Sequence, residues 1–229
     1  MKTIKRNTAI LLIIEGLLLF VPTIVLGGAI NWPASLGDPA ETMLPLIHEQ
    51  ADAVRLGYFA YLIYSVLFFP VALMTARVVA GDDTFSPMLK IAVGFGAIST
   101  LARTLGIIRW LFPMPILAEQ YVDPATSETA RETIAIVYRM LNEYAGAVGE
   151  VIGVSFFAAI WIALIGIVIL RNGSLPRWLG IWALVAAVGL ASSILEMFGV
   201  DLGAFITVTV TIIQLWFLAA GFVLFRARN

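Results

Sequence analysis

The sequence has no cysteine, one histidine and three lysines, and each scarcity removes a chemistry. Without cysteine there are no disulfides, thiolate nucleophiles, iron–sulfur clusters or cysteine-type zinc sites. The single histidine, His48, excludes a His-Glu-x-x-His zinc site and a bis-histidine haem. With Glu49 it reads as a solvated or capping pair at the mouth of the second long helix. Lys2, Lys5 and Lys90 all fall at helix boundaries, which leaves no mid-membrane lysine for a Schiff base. Only 13% of residues are charged, and no basic run is long enough to follow a nucleic-acid backbone. Gly94-Phe95-Gly96 follows no strand, so it reads as a packing notch and not as a nucleotide loop.

What the chain has instead is apolar surface. Hydrophobic residues make up 61% of it, and its mean hydropathy is +0.97, against roughly 45–50% apolar residues in soluble domains. This composition describes an integral membrane protein. Its 229 residues hold about six spans of ~20–25 residues and leave little for a separate soluble domain. The expected fold is therefore all-α, a bundle of six transmembrane helices, with residues 1–229 as a single transmembrane domain.

The stretch Asn142–Gly180 organises the rest. From Val151 to Leu170 no residue carries a charge, and twenty residues at helical rise match a hydrocarbon core of ~30 Å. Glu150 sits at the first turn of this helix. Asn142, Gly146, Gly149 and Gly153 recur at three- and four-residue spacing, a strip of small residues that lets another helix come close to the carboxylate.

The remaining spans fall in order along the chain. Helix 1 covers Thr8 to Ile30 and exceeds a cleaved signal's apolar core. Asp38-Pro39 with Glu41 has the pattern of a helix start, so a short interfacial helix follows. Helix 2 runs from about Asp52 to Val79, with Tyr58, Tyr61 and Tyr64 on neighbouring turns. Ser86 and Pro87 open helix 3, which carries Arg103 and Arg109 until Pro113 and Pro115 end it. Asp123-Pro124 repeats the helix-start signal, and Ser127 to Leu141 is amphipathic. A bend is expected near Gly146–Gly149, because an unbroken helix into the next span would run twice the bilayer requirement. Helix 5 extends from about Pro176 to Phe198 and contains Glu196; helix 6 extends from about Leu202 to Phe225 with Gln214 near its middle.

Lys2, Lys5, Arg6, Arg77, Lys90, Arg171, Arg177, Arg226 and Arg228 fall on one side of this topology, and Asp38, Glu41, Glu49, Asp52, Glu119, Asp123, Glu128 and Asp201 on the other. The positive-inside rule then puts both termini in the cytoplasm and the protein in the cell inner (plasma) membrane.

The turn Arg171-Asn172-Gly173-Ser174-Leu175-Pro176-Arg177-Trp178-Leu179-Gly180 resembles the hallmark of the bacterial domain of unknown function 4386 family, and Glu49–Gly57, ending Arg55-Leu56-Gly57, is similar to the same family's pattern. The resemblance covers most of the chain. It implies an all-helical membrane protein and carries no established activity. Much of the hallmark is also good turn chemistry, with Gly173 as a C-cap and Ser174 and Pro176 opening the next helix.

Function has to be argued from the charges that enter the membrane. Depth counting places Glu150, Glu196 and Arg109 near the outer edge of the hydrocarbon, Arg103 deeper in the outer half and Glu15 in the inner half. Each such charge costs about 2.5–3.5 kcal/mol at the bilayer centre on insertion scales, so each needs a partner or water. One reading is purely structural, an Arg103–Glu150 or Arg109–Glu196 ion pair that fixes helix register. The other is a polar cavity in the outer half, with Arg103, Arg109, Glu150 and Glu196 as ligand-binding groups and Tyr58, Tyr61 and Tyr64 on its wall. The leading functional expectation is binding of a lipid or other lipophilic small molecule there. The alternatives are an accessory subunit contacting a membrane protein partner and a proton-coupled transporter using Glu15 and Gln214. An intramembrane enzyme using Glu150 and Glu196 lacks strong catalytic motifs. Membrane lipids are expected partners, nucleic acid is not, and nothing in the sequence names a cofactor or a metal ligand set.

Overall fold

The computed structural model describes residues 2–81, 85–200 and 202–226. Arg228, Asp201 and residues 82–84, between the second and third spans, lie outside the described residues. Six helices are long and apolar enough to cross a membrane: Lys2–Ile30, Ala51–Ala80, Pro87–Val122, Glu128–Asn172, Arg177–Phe198 and Phe205–Arg226. No strand occurs among the described residues.

The spans are built from α1 (Lys2–Leu18), α2 (Phe20–Ile30), α3 (Ala40–Glu49), α4 (Ala51–Ala80), α5 (Pro87–Leu111), α6 (Pro113–Val122), α7 (Glu128–Gly146), α8 (Ala158–Asn172), α9 (Arg177–Ala191) and α10 (Ala204–Arg226). Three stretches are wound differently. Ala34–Gly37 and Ser192–Phe198 are 3₁₀, and Ala147–Phe157 is a π-helix that joins α7 to α8. The short α3 and α6 and the amphipathic α7 gather at one end of the bundle, called here the loop end. The end that holds Lys2 and Arg226 is the basic end.

Local sequence explains most boundaries. Ser86 caps α5 by accepting a bond from the Leu89 N–H at 3.3 Å, with Pro87 as first residue. Ser127 does the same for α7 through Ala130 N–H. Gly173 closes α8 at φ 65°, a left-handed value that glycine adopts without a Cβ penalty. Asn172 anchors that turn, because its Nδ2 donates to the Val79 carbonyl at 2.8 Å and its Oδ1 accepts from Ser174 N–H at 3.0 Å.

Two local expectations are corrected. Asp38 does not cap α3, whose N-cap position is Pro39 with no side-chain bond. Asp123 starts a turn through Ala125 N–H at 2.8 Å, and α7 begins only after Ser127. The third helix ends where its prolines place it: α5 stops at Leu111 with Phe112 as C-cap, and Pro113 opens α6 as its first residue, a position where its missing N–H costs nothing. At Gly146–Gly149, where a bend was expected, α7 passes directly into the π-wound stretch.

Two apolar cores fill the bundle. The core toward the basic end is centred on Phe68, Trp161, Trp216 and Phe217, with the Trp216 indole N–H donating to the Leu179 carbonyl at 2.9 Å. The core toward the loop end contains Tyr58, Trp110, Met114 and Tyr138. Outward-facing residues such as Ile24, Leu101 and Val188 are 60–73% exposed, an apolar belt far larger than a water-soluble surface tolerates. The chain is a multi-pass membrane protein.

A polar cavity as the candidate functional site

The site begins with two arginines on α5. Arg103 and Arg109 are six residues apart, about 9 Å along the helix at 1.5 Å per residue. Both are buried, at 2% and 4% exposure.

Arg109 is fully engaged. Its Nη2 donates to Glu150 Oε1 at 2.8 Å, its Nε to Asn142 Oδ1 at 3.2 Å and its Nη1 to the Gly106 carbonyl at 2.8 Å. Asn142 in turn donates to the Leu36 carbonyl at 2.7 Å. One guanidinium thereby joins α5 to α7, to the π-wound stretch and to the 3₁₀ turn.

Glycines permit this close approach. A Cβ on Gly106 would lie 2.6 Å from the Gly149 Cα, and one on Gly153 would lie 2.9 Å from the Arg103 backbone nitrogen. The helix that meets the small-residue strip is therefore α5.

Arg103 has different surroundings. Its Nε donates to Ser99 Oγ at 3.1 Å, and the Ser99 hydroxyl donates to the Gly153 carbonyl at 2.6 Å. The guanidinium sits 4.0 Å from the Phe68 ring centre and 5.7 Å from that of Tyr64, where the two cores meet. Its Nη1 is buried with no partner. The expected Arg103–Glu150 and Arg109–Glu196 pairings are corrected: Glu150 pairs with Arg109. The two groups lie at matching depth, whereas Arg103 lies about a turn and a half farther in.

Six of the seven residues expected at the site, Arg103, Arg109, Glu150, Glu196, Tyr58 and Tyr61, line one cavity of about 240 Å³ between the helices. Tyr58 stacks on Trp110 at 4.7 Å with the rings 5° apart, and Tyr61 meets Trp32 edge-on at 5.7 Å. Tyr64 does not reach the wall and lies beside Arg103 instead. A second, more polar cavity of about 500 Å³ opens at the loop end against Asp38, Tyr138 and Glu143. Arg109, Glu150, Val151 and Glu196 line both spaces, so the Arg109–Glu150 pair stands at their junction.

Sequence reading missed the roles of Trp32, Trp110, Ser99 and Gly106. The signal for two of them was spacing alone: Ser99 precedes Arg103 by four residues and Gly106 precedes Arg109 by three, which puts each on its arginine's helix face. Glu15 and Gln214 lie toward the cavity's deeper side. Both Glu15 carboxylate oxygens, and both polar atoms of the Gln214 side chain, are buried without a hydrogen-bond partner.

Chemically, this is a partly open mixed surface with aromatic and aliphatic walls, two guanidinium groups and hydrogen-bonding groups at its deeper end. No cluster of three or more His, Asp or Glu placed to hold a metal occurs among the described residues. Fold and site define a six-span helical membrane protein with a polar-lined cavity inside the bundle. The chain belongs to the family described as a domain of unknown function (DUF4386), whose family model matches residues 8–226. No curated protein and no solved structure matches the chain.

Proposed function

We propose that this protein binds a lipid or other lipophilic small molecule with a polar head in the cavity between the two cores, at the loop end of the bundle. The observation that carries the reading is Arg103: a buried cation on the wall of a mainly apolar cavity, with one nitrogen lacking any partner. An unpaired buried donor costs about 1–3 kcal/mol, more when charged, and a ligand oxygen removes that cost. Apolar walls with a few convergent polar groups are the usual form of a small-molecule site. The concentration of Lys2, Lys5, Arg6, Arg77, Lys90, Arg171, Arg177 and Arg226 at one end supports cytoplasmic termini in the plasma membrane.

Native mass spectrometry of protein released from lipid nanodiscs tests the binding. A single added mass should survive delipidation of the wild type and be lost from Val154→Trp, which fills the cavity from its wall. Wild-type protein that is folded and carries no added mass, with no thermal shift from any amphiphile, would refute the reading.

A further inference from the structure

The cavity's wall is incomplete on one side. α2 packs on α4, while α10 packs on α1 and α9. Between α2 and the first half of α10 the lining passes through Phe20, Thr23, Thr207 and Thr211, all of them exposed on the lipid-facing surface. Thr207 and Thr211 lie three and seven residues into α10, and Thr23 lies seven before the end of α2, so the gap is roughly 5–10 Å in from the helix ends. That depth falls within a hydrocarbon core of ~30 Å. The rim also suits hydrocarbon: the Thr23 and Thr211 hydroxyls donate to the Leu19 and Thr207 carbonyls of their own helices at 2.8 Å, so neither of these two hydroxyl hydrogens needs water.

We propose that this gap is a lateral portal, and that the cavity's occupant is a single-chain amphiphile whose anionic head, a carboxylate or phosphate, meets Arg103 while its chain leaves between α2 and α10 into the bilayer. The proposal rests on the reading of the cavity as a lipophile site and specifies the ligand class and its route. Size favours a compact head with its chain outside: a volume of about 240 Å³ lies below the ~300–1,000 Å³ of pockets that enclose a whole drug-sized ligand, and the gap between α2 and α10 offers a single chain its exit. Charge decides for an anion. The Arg109 guanidinium is occupied by Glu150, Asn142 and the Gly106 carbonyl, whereas Arg103 Nη1 and Gln214 Nε2 are buried donors without acceptors. Both residues line the cavity, and the oxygens of a carboxylate or phosphate supply the acceptors that these donors lack.

The test uses 9,10-dibromostearic acid as quencher, because Trp32 and Trp110 line the cavity. Full-length protein in nanodiscs should show saturable quenching. The methyl ester of the same acid, and the Arg103→Met variant with its folding checked by thermal melting, should each bind at least tenfold more weakly. Equal affinity for acid and ester overturns the anionic head. For the route, Thr23→Cys with Thr207→Cys is joined by a reducible thiol cross-linker in a protein with no cysteine of its own. Cross-linking should slow quenching at least tenfold, and reduction should restore it. An unchanged rate overturns the portal while leaving the cavity reading intact; no saturable quenching by acid or ester in folded wild type refutes both.

Discussion

Arg109 and Glu150 meet at 2.8 Å across the junction of α5 and the π-wound stretch, although 41 residues separate them in sequence. The arginine side chain is 4% exposed and the glutamate 41%, so the pair is buried on one side and wet on the other. That asymmetry matters energetically. Removing the glutamate strands a buried cation, whereas removing the arginine leaves a carboxylate that still reaches polar surroundings.

A double-mutant cycle should therefore find the coupling here. Glu150→Gln and Arg109→Met are each expected to destabilise the protein, Glu150→Gln by about 1–3 kcal/mol, and the double variant should lose less than the sum of the two. Arg103→Met with Glu150→Gln should be additive to within about 0.5 kcal/mol. Detergent melting of the three single and two double variants measures both cycles, and coupling confined to Arg103–Glu150 would contradict the geometry.

The contact of Gly106 with Gly149 makes a second prediction. A Cβ at either position meets the other's backbone at 2.6–2.7 Å, and backbone does not yield as a flexible side chain does. Gly106→Ala should cost at least the 1–3 kcal/mol typical of overpacking and should weaken the Arg109–Glu150 bond by separating the helices. Gly94→Ala is the control. Its Cβ would enter open space, and alanine's helix propensity favours it by about 0.5–1 kcal/mol. A Gly106→Ala protein melting with the wild type would show that the helices are not in contact.

The same residues show what the sequence carried and what it did not. Six spans are legible because hydrocarbon demands about twenty apolar residues each and the chain interrupts them with prolines, glycines and charges. The glycine strip around Glu150 is legible as a place of close approach. Its partner helix is not, because six apolar helices offer many matching faces and only depth discriminates among them. Depth favours Arg109, near the same boundary as Glu150, over Arg103. The π-winding of Ala147–Phe157 left no compositional mark, since the same small and apolar residues also suit an α-helix. Pro113 was legible as the end of α5 and not as the start of α6, because proline breaks a helix and begins one equally well.

Topology yields a third prediction. Thr3 and Ala125 are both exposed, at the basic end and at the loop end respectively, and neither side chain makes a recorded hydrogen bond. Thr3→Cys and Ala125→Cys should be labelled by a membrane-impermeant maleimide from opposite sides of sealed vesicles, with Thr3→Cys on the cytoplasmic face. Labelling of both from one side would break the six-span arrangement. Labelling of Thr3→Cys from outside would invert it. Ser35, in the 3₁₀ turn, is unsuitable for this purpose because it is 2% exposed.

The last prediction concerns Arg103 and Glu15. Arg103 is the cation whose field acts on Glu15, and Glu15 is fully buried with neither oxygen hydrogen-bonded. In a low-dielectric interior burial disfavours the ionised form of a carboxyl without donors, and the field of Arg103 offsets part of that cost. Arg103→Met should therefore be destabilising by about 1–3 kcal/mol, by withdrawing the cation nearest to this unpaired buried carboxyl. Arg103→Met with Glu15→Gln should recover most of that loss, whereas Arg103→Met with Glu150→Gln should not. Stability and dibromostearate binding then separate the two roles of Arg103. The Glu15→Gln rescue should restore melting temperature without restoring tight binding, since the donor that meets the head is still missing. Failure of Glu15→Gln to raise the melting temperature of Arg103→Met would show that the two charges are not coupled. Recovery of both melting and binding would show Arg103 to be a structural counter-charge only.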